Sequence, residues 1–188
     1  MSRVILFIVL FVILVSAAGA TEPIVLKTDS GVLYGTLETP KNTDAVPVAL
    51  IISGSGPTDR DGNNTIVGNN NSLKLLAEGL AVNGIASLRY DKRGIAASAA
   101  AGSKEVDLRF DTYIDDAEKW GKLLLKDRRF TKVIVIGHSE GALIGTVACK
   151  RLGANGFISI AGAGYPAYEV LEVQLKRSLP PGLISESN

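Results

Sequence analysis

Two kinds of hydrophobic pattern alternate along the chain after residue 20. Short apolar runs rich in β-branched residues predict buried strands over residues 47–52, 85–90, 132–136 and 156–161. Apolar residues at helical spacing predict amphipathic helices over residues 111–126, 142–151 and 165–178, and a fourth that ends at residue 82. Two more strands, 24–27 and 32–38, flank a turn at 29–31. The alternation predicts an α/β fold with a mostly parallel sheet, entered through an N-terminal antiparallel hairpin.

The spacing of apolar and polar residues also predicts where these helices begin and which of their faces are buried. The helix that ends at Val82 is expected to take its cap from Asn71 or Ser72. In the helix over residues 111–126, the buried face is expected to hold Tyr113, Ala117, Trp120 and Leu124. The solvated face is expected to hold Asp115, Asp116, Glu118 and Lys119. Residues 96–105 are expected to form a loop.

The first twenty residues have the pattern of a secretory signal peptide rather than of a folded element. Arg3 precedes an unbroken apolar run over residues 4–15, and small residues follow as far as Ala20. The run is shorter than the roughly 20 residues that a spanning helix needs, which disfavours a retained membrane anchor. We expect cleavage after Ala20, a secreted or periplasmic location, and membrane contact only through the signal peptide during export. The remaining residues, 21–188, predict one domain.

Composition removes several function classes. The net charge of +1 among 188 residues gives no electrostatic reason to expect a nucleic acid partner. Cys149 is the only cysteine and His138 the only histidine, so no metal site is expected. Cys149 cannot form an internal disulfide and is expected to be a small packing residue. No cofactor is expected.

One stretch carries a specific chemical signal, the sequence Gly137-His138-Ser139-Glu140-Gly141. This G-x-S-x-G pattern lies between a predicted strand and a predicted helix, as in a nucleophile elbow. The turn strains the serine backbone and exposes its hydroxyl, while side chains at Gly137 and Gly141 would collide with neighbouring backbone. The helix N-terminus lies beneath a developing oxyanion. The pattern predicts Ser139 as a nucleophile, against the alternative of a structural Gly-Ser turn.

A second glycine-rich loop follows the predicted strand 47–52, with the sequence Ser53-Gly54-Ser55-Gly56-Pro57. It lacks the Lys-Ser/Thr of a phosphate-binding P-loop. In a protein with a nucleophile elbow, this position suits the second half of an oxyanion hole. The backbone N–H groups of Ser55 and Glu140 are then the expected donors, and an ordinary surface loop is the alternative.

With these motifs in place, the sequence resembles the α/β-hydrolase superfamily, and within it the exported bacterial serine esterases of the EstD type with a serine-aminopeptidase-like domain. The resemblance is carried by G-S-G-P-T-D-R-D-G-N from residue 54, R-Y-D-K-R-G from residue 89, and G-H-S-E-G from residue 137. It implies Ser139 as nucleophile and Ser55 and Glu140 as oxyanion donors. Ala96 departs from the family, in which a second glycine is common there.

The larger departure concerns the rest of the triad, which in this fold follows the serine in the order Asp/Glu, then His. His138 is adjacent to Ser139 and is expected to pack near the sheet rather than act as its base. The acids after Gly164 are Glu169, Glu172 and Glu186, and none follows a predicted strand. We therefore expect the C-terminal strands to be missing, the strand 156–161 to form an edge, and residues 165–188 to begin a lid. The chain is expected to be the N-terminal part of a longer hydrolase.

The resulting function hypothesis is a serine hydrolase of carboxylic esters (EC 3.1.1 type) that acts on a small-molecule ester through an acyl-enzyme on Ser139. Its triad acid and histidine would lie outside this chain, so the chain alone is expected to be nearly inactive. A peptidase or thioesterase on the same fold is an alternative, because a fold does not fix the leaving group. A non-catalytic fragment or pseudo-enzyme is another.

Overall fold

A computed structural model describes residues 19–41, 45–66, 68–102 and 104–178. The six strands within these ranges are β1 (Ala20–Thr28), β2 (Gly31–Thr39), β3 (Val46–Ile52), β4 (Ala86–Tyr90), β5 (Phe130–His138) and β6 (Gly156–Ile160). The helices are α1 (Ser72–Val82), α2 (Phe110–Lys126), α3 (Glu140–Leu152) and α4 (Ala167–Ser178). Residues 1–18 of the expected signal peptide and 179–188 of the expected lid lie outside the described residues.

The strands form one mixed sheet in the order β1-β2-β4-β3-β5-β6. β1 pairs antiparallel with β2, and β2 pairs antiparallel with β4. β4, β3, β5 and β6 are parallel to one another. This arrangement confirms the expected parallel sheet with an N-terminal hairpin. The carboxyl ends of β3, β4 and β5 meet at one edge, where α/β folds bind ligands.

Helices on the two faces of the sheet bury its centre. β3 is apolar throughout, and Val48, Leu50 and Ile52 are fully buried. Trp120 of α2 is also fully buried, with its ring 5.6 Å from the ring of Tyr90. Cys149 lies partly buried against the same core, as expected of a packing residue. In the described part of the chain, none of the helices combines the length and hydrophobicity that a membrane span requires.

Three local expectations are wrong. Residues 96–105 are not an irregular loop, because Ala96–Ala101 forms a 3₁₀ helix and another covers Glu105–Asp107. The side chain of Asn71 makes no capping hydrogen bond to α1; instead the carbonyl of Asp61 accepts from the N–H groups of Leu73 and Lys74, and the side chain of Asn70 accepts from the N–H of Ser72 at 2.9 Å. Asp116 is not on the solvated face of α2 but is 1% exposed, because it pairs with Arg93.

β6 is less buried than the apolar sequence of residues 156–161 predicts. Phe157 is 36% exposed and Ile158 is 48% exposed, although the sequence of this strand is as apolar as that of β5. Among the described strands β6 has one neighbour, β5, and so forms an edge of the sheet. The sequence also predicted this edge position, which leaves part of the apolar surface of the strand uncovered.

Candidate active site

The chain turns sharply where β5 ends and α3 begins, and Ser139 occupies the turn. Its backbone has φ 52° and ψ −119°, a conformation that costs an L-residue roughly 1–3 kcal/mol. The N–H of Ser139 donates to the carbonyl of Ile160 at 2.9 Å, and its carbonyl accepts from Ala142 at 2.9 Å. These bonds hold the strained turn. Within the described residues, the half-buried Ser139 hydroxyl has no hydrogen-bond partner.

Gly137 and Gly141 allow the turn to pack closely. A Cβ atom on Gly137 would lie 2.2 Å from the carbonyl oxygen of Gly141. A Cβ atom on Gly141 would lie 2.3 Å from the carbonyl oxygen of Ile52. Both contacts are with backbone, which cannot rotate aside as a side chain can. The two glycines therefore let the start of α3 rest directly on the ends of β5 and β3.

The glycine-rich loop after β3 lies against this turn. A Cβ atom on Gly54 would be 3.3 Å from Cβ of Ser139 and 3.0 Å from Nδ1 of His138. The carbonyl of Ser55 accepts a hydrogen bond from the hydroxyl of Thr58 at 2.9 Å, which closes the loop. The Gly54–Ser55 backbone thus reaches Ser139 from the side of β3, while Glu140 follows Ser139 directly at the start of α3.

Two hollows open on either side of Ser139, and both are lined by Ser139 and Ser55. One has a volume of about 300 Å³ and a polar lining that includes Thr58, Asn64 and Asn70. The other has a volume of about 270 Å³ and a largely aliphatic lining of Leu143, Ala161, Ala163, Val170 and Leu171. The surroundings of Ser139 are therefore polar in one hollow and aliphatic in the other.

His138 contributes to the polar hollow. It lies at the sheet as expected, since it ends β5 and pairs with Ile160 of β6, but it is exposed, and its Nδ1 lies near Gly54. The acids Glu169 and Glu172 lie on α4, and the hydroxyl of Tyr168 donates to Glu169 at 3.0 Å. Glu186 lies outside the described residues. Among the described residues, no cluster of three His, Cys, Asp or Glu side chains is arranged to hold a metal ion.

Four charged side chains are buried around the end of β4: Arg89, Asp91, Lys92 and Arg93. They belong to the R-Y-D-K-R-G stretch that carries part of the family resemblance, but no individual role was predicted for any of them. Arg89 donates to Asp61 at 2.8 Å and to Glu38 at 3.2 Å. Asp91 accepts from the backbone N–H and from the guanidinium of Arg60, both at 2.8 Å. These bonds fasten the loop between β3 and α1, which carries the glycine-rich segment, to the sheet.

Arg93 is paired in the opposite direction, toward α2. Its guanidinium makes two hydrogen bonds with the carboxylate of Asp116, at 3.0 and 2.7 Å, and donates to the carbonyl of Ala101 at 3.0 Å. It also donates to the hydroxyl of Ser30 in the β1–β2 turn. Burial raises the pKa of Asp116, and the bonds from Arg93 oppose that rise.

Lys92 contacts the candidate site itself. Its Nζ donates to the carbonyl oxygen of Gly54 at 2.6 Å and to Oε1 of Glu140 at 2.7 Å. The same nitrogen lies 5.6 Å from the centre of the Tyr113 ring, within range of a cation–π contact. Burial, followed by the charge of Glu140, raises the pKa of Tyr113. Lys92 was not predicted as a site residue. The sequence signal that could have identified it is a run of charged residues directly after an apolar strand, at the carboxyl edge of a parallel sheet.

The family model described as "Serine aminopeptidase, S33" matches residues 69–181. The chain is 34% identical over 153 residues to Esterase EstD of Thermotoga maritima, a match that covers 81% of this chain and 36% of that protein. The chain therefore spans about a third of the length of this curated relative.

Solved structures show the same fold. An α/β serine hydrolase without a lid from Xanthomonas campestris is 25% identical, with a TM-score of 0.60, over 79% of this chain and 64% of that one. Est1E of Butyrivibrio proteoclasticus, solved with bound ferulic acid, is 22% identical, with a TM-score of 0.62, over 81% and 56%. The α/β hydrolase GrgF from a Penicillium species is 19% identical, with a TM-score of 0.62, over 84% and 53%. These structures confirm the α/β-hydrolase fold, and the family and esterase matches confirm the resemblance to serine-aminopeptidase-like hydrolases of the EstD type.

Proposed function

The chain belongs to the serine aminopeptidase S33 family, and on that premise we propose that it supplies the nucleophile and oxyanion hole of a serine hydrolase acting on carboxylic esters. The observation that carries the proposal is the geometry of Ser139, a strained residue at the N-terminus of α3 whose hydroxyl has no hydrogen-bond partner among the described residues. An esterase relative at 34% identity supports the ester as substrate class.

In the proposed reaction, the Ser139 hydroxyl oxygen attacks the acyl carbon of the ester. The carbonyl oxygen becomes an oxyanion, stabilised by the N–H groups of Ser55 and Glu140 and by the N-terminal end of the α3 dipole. The general base takes the proton of the Ser139 hydroxyl and gives it to the departing oxygen as the acyl–oxygen bond of the ester breaks, so that the alcohol leaves. Water then hydrolyses the acyl-enzyme, which releases the acid and restores Ser139. The aliphatic hollow beside Leu143 suits a hydrocarbon part of the substrate.

The proposal assigns the general base to a histidine, oriented by an acid, outside these 188 residues. His138 is the last residue of β5 and directly precedes Ser139, and neighbouring residues at a tight turn point in different directions. Without the histidine, turnover in a serine triad falls by about 10⁶. The 188-residue chain alone is therefore expected to be nearly inactive.

The test is covalent labelling of the native protein with a serine-reactive phosphonate, followed by intact-mass measurement and mapping of the label. We expect the label on Ser139, in a species heavier than the 168 residues that would remain after removal of residues 1–20. The Ser139→Ala variant is the matched control and should take up no label. Labelling elsewhere, or an unlabelled native protein of the fragment's mass, would argue for a non-catalytic product.

A peptidase is the second candidate, and the description of the matching family as a serine aminopeptidase is the observation that favours it. Aminoacyl amides, simple esters and thioesters of matched acyl groups would separate the candidates when assayed on the full-length protein. We expect the highest kcat/KM on the ester. A higher kcat/KM on the aminoacyl amide would replace the esterase assignment with the peptidase.

Export is also part of the proposal, and it rests on the apolar run and small residues before residue 21. N-terminal sequencing of the mature native protein tests it. We expect Thr21 as the first residue, and an intact N-terminus at Met1 would contradict export by a cleaved signal peptide.

A further inference from the structure

Lys92 touches both halves of the proposed oxyanion hole at once. Its side chain is 5% exposed, and its ammonium group bridges the Gly54 carbonyl and the Glu140 carboxylate. Burying an ammonium group is costly unless hydrogen bonds and an opposite charge compensate it. Here the compensating groups belong to the loop after β3 and to the first residue of α3. The buried charge therefore fixes these two segments relative to each other.

The contact with Gly54 has a direct geometric consequence for Ser55. The Gly54 carbonyl and the Ser55 N–H belong to one planar peptide group, and the described chain contains no cis peptide bond. In a trans peptide the C=O and N–H bonds point in opposite directions. By holding the carbonyl oxygen, Lys92 fixes the direction in which the Ser55 N–H points.

The same contact strengthens the donor. A charge-assisted hydrogen bond to a carbonyl oxygen polarises the peptide group, and bonds in such chains reinforce one another. The Ser55 N–H therefore becomes a better donor to a developing negative charge. On the other side, the 2.7 Å bond to Glu140 holds the residue whose backbone N–H is the second donor.

We propose that Lys92 is a positioning residue that orients the two oxyanion-hole donors, Ser55 N–H and Glu140 N–H, through its bonds to the Gly54 carbonyl and the Glu140 carboxylate. The inference rests on the proposed hydrolase function and assigns Lys92 no contact with substrate. Because an oxyanion exists only in the transition state and the tetrahedral intermediate, the loss of Lys92 should lower kcat and leave KM nearly unchanged.

The experiment compares wild type, Ser139→Ala and Lys92→Met in the full-length protein, with a p-nitrophenyl ester as substrate. Methionine keeps the length of the lysine stem and removes the charge and the donors. Removing an oxyanion donor outright costs about 10²–10³ in kcat, so misorienting the donors should cost about 10–100-fold, with KM within about threefold. A trifluoromethyl ketone, whose adduct with serine carries an oxyanion, should bind more weakly by the same factor as kcat/KM falls.

A control with the neighbouring buried cation separates orientation from general packing. Arg93→Met/Asp116→Leu removes an ion pair in which each side chain is 2% exposed and which does not touch Gly54 or Glu140. Replacement of a buried pair by apolar side chains is often neutral for stability. We expect this variant to keep kcat within about twofold. An equal fall in kcat in this control would overturn the specific role of Lys92.

Two further variants keep the inference testable if Lys92→Met does not fold. Lys92→Arg retains a cationic donor and should recover at least about a third of the wild-type kcat. Glu140→Ala removes one of the two anchors of Lys92 and should lower kcat by about 3–10-fold without raising KM. Folded protein with unchanged kcat in Glu140→Ala, or with Lys92→Arg as slow as a folded Lys92→Met, would overturn the proposal.

The design distinguishes failure of the inference from failure of the function. If wild type hydrolyses the ester no faster than Ser139→Ala, the proposed hydrolase function is wrong and the role of Lys92 is lost with it. If wild type is active and a folded Lys92→Met retains its kcat and its affinity for the trifluoromethyl ketone, the function stands and the inference about Lys92 is wrong.

Discussion

The ends of β4 and β5 lie on either side of β3 at the same edge of the sheet. They differ in whether their polar side chains are paired. Around the end of β4, Arg89, Asp91, Lys92 and Arg93 are buried and paired with segments on both sides of the strand. At the end of β5, Ser139 is strained and its hydroxyl is unpartnered within the described residues.

This difference separates scaffold from reactive group. Paired buried charges hold their surroundings in one arrangement, because a side chain that moves away from its partner leaves a buried charge uncompensated. A strained backbone persists only where the surrounding structure enforces it. The β4 end therefore supplies the rigidity that the β5 end needs, and substitutions at the two ends should affect different measurements.

The largest effect is expected at Ser139. In the full-length protein, Ser139→Ala should lower ester turnover by about 10⁶, or roughly 8 kcal/mol of activation barrier. It should leave the free energy of unfolding nearly unchanged, because alanine keeps the strained backbone. Ser139→Gly should be equally inactive but more stable by about 1 kcal/mol, since glycine adopts positive φ without strain. Steady-state kinetics and urea unfolding measure both quantities, and a Ser139→Gly variant less stable than Ser139→Ala would contradict the strain.

The next effect concerns stability at the β4 end. Asp116→Ala leaves the Arg93 guanidinium buried without its carboxylate and should lower the free energy of unfolding by about 3–5 kcal/mol. The folded fraction should retain its kcat, because Asp116 does not contact the site around Ser139. Urea unfolding of Asp116→Ala beside Arg93→Met/Asp116→Leu checks this. If the double variant lost as much stability as the single one, an unpaired buried charge would not be the cause.

Close backbone packing at the β5 end predicts a smaller loss. Gly141→Ala places a methyl group 2.3 Å from the Ile52 carbonyl oxygen, so the start of α3 must shift. We expect a loss of about 1–3 kcal/mol in the free energy of unfolding, together with a fall in kcat. Gly79→Ala is the matched control: Gly79 lies within α1 with nothing within 4 Å of an added Cβ atom, and alanine there should stabilise by about 0.5–1 kcal/mol. Equal effects at the two positions would rule out the steric explanation.

The two ends also differ in how far they could be predicted from the sequence. The turn at Ser139 was predictable because strand, glycine spacing and helix are all local signals. The role of Asp116 was not predicted, because pairing with Arg93 depends on how α2 packs on the sheet. A weak signal existed: Asp116 lies three residues after Tyr113 and four before Trp120, on the same side of the helix. Lys92 was missed for the same reason, since Gly54 and Glu140 are far from it in sequence.

Arg129 provides the surface counterpart of Arg93 and the smallest expected effect. It is 47% exposed and pairs with Glu22 at 3.1 Å and Asp127 at 2.8 Å. Hydrogen bonds from Arg129 lower the pKa of Asp127, so this carboxylate stabilises the fold above its unfolded pKa near 3.8, and the stabilisation is lost as pH falls through the folded value.

Because solvent and salt screen exposed pairs, Arg129→Met should cost no more than about 1 kcal/mol at neutral pH and low salt. The difference from wild type should shrink below pH 3.8 and in high salt. Urea unfolding across pH and salt measures it. A loss as large as that of Asp116→Ala would mean that pairing itself, rather than burial of the pair, decides what an arginine contributes to this fold.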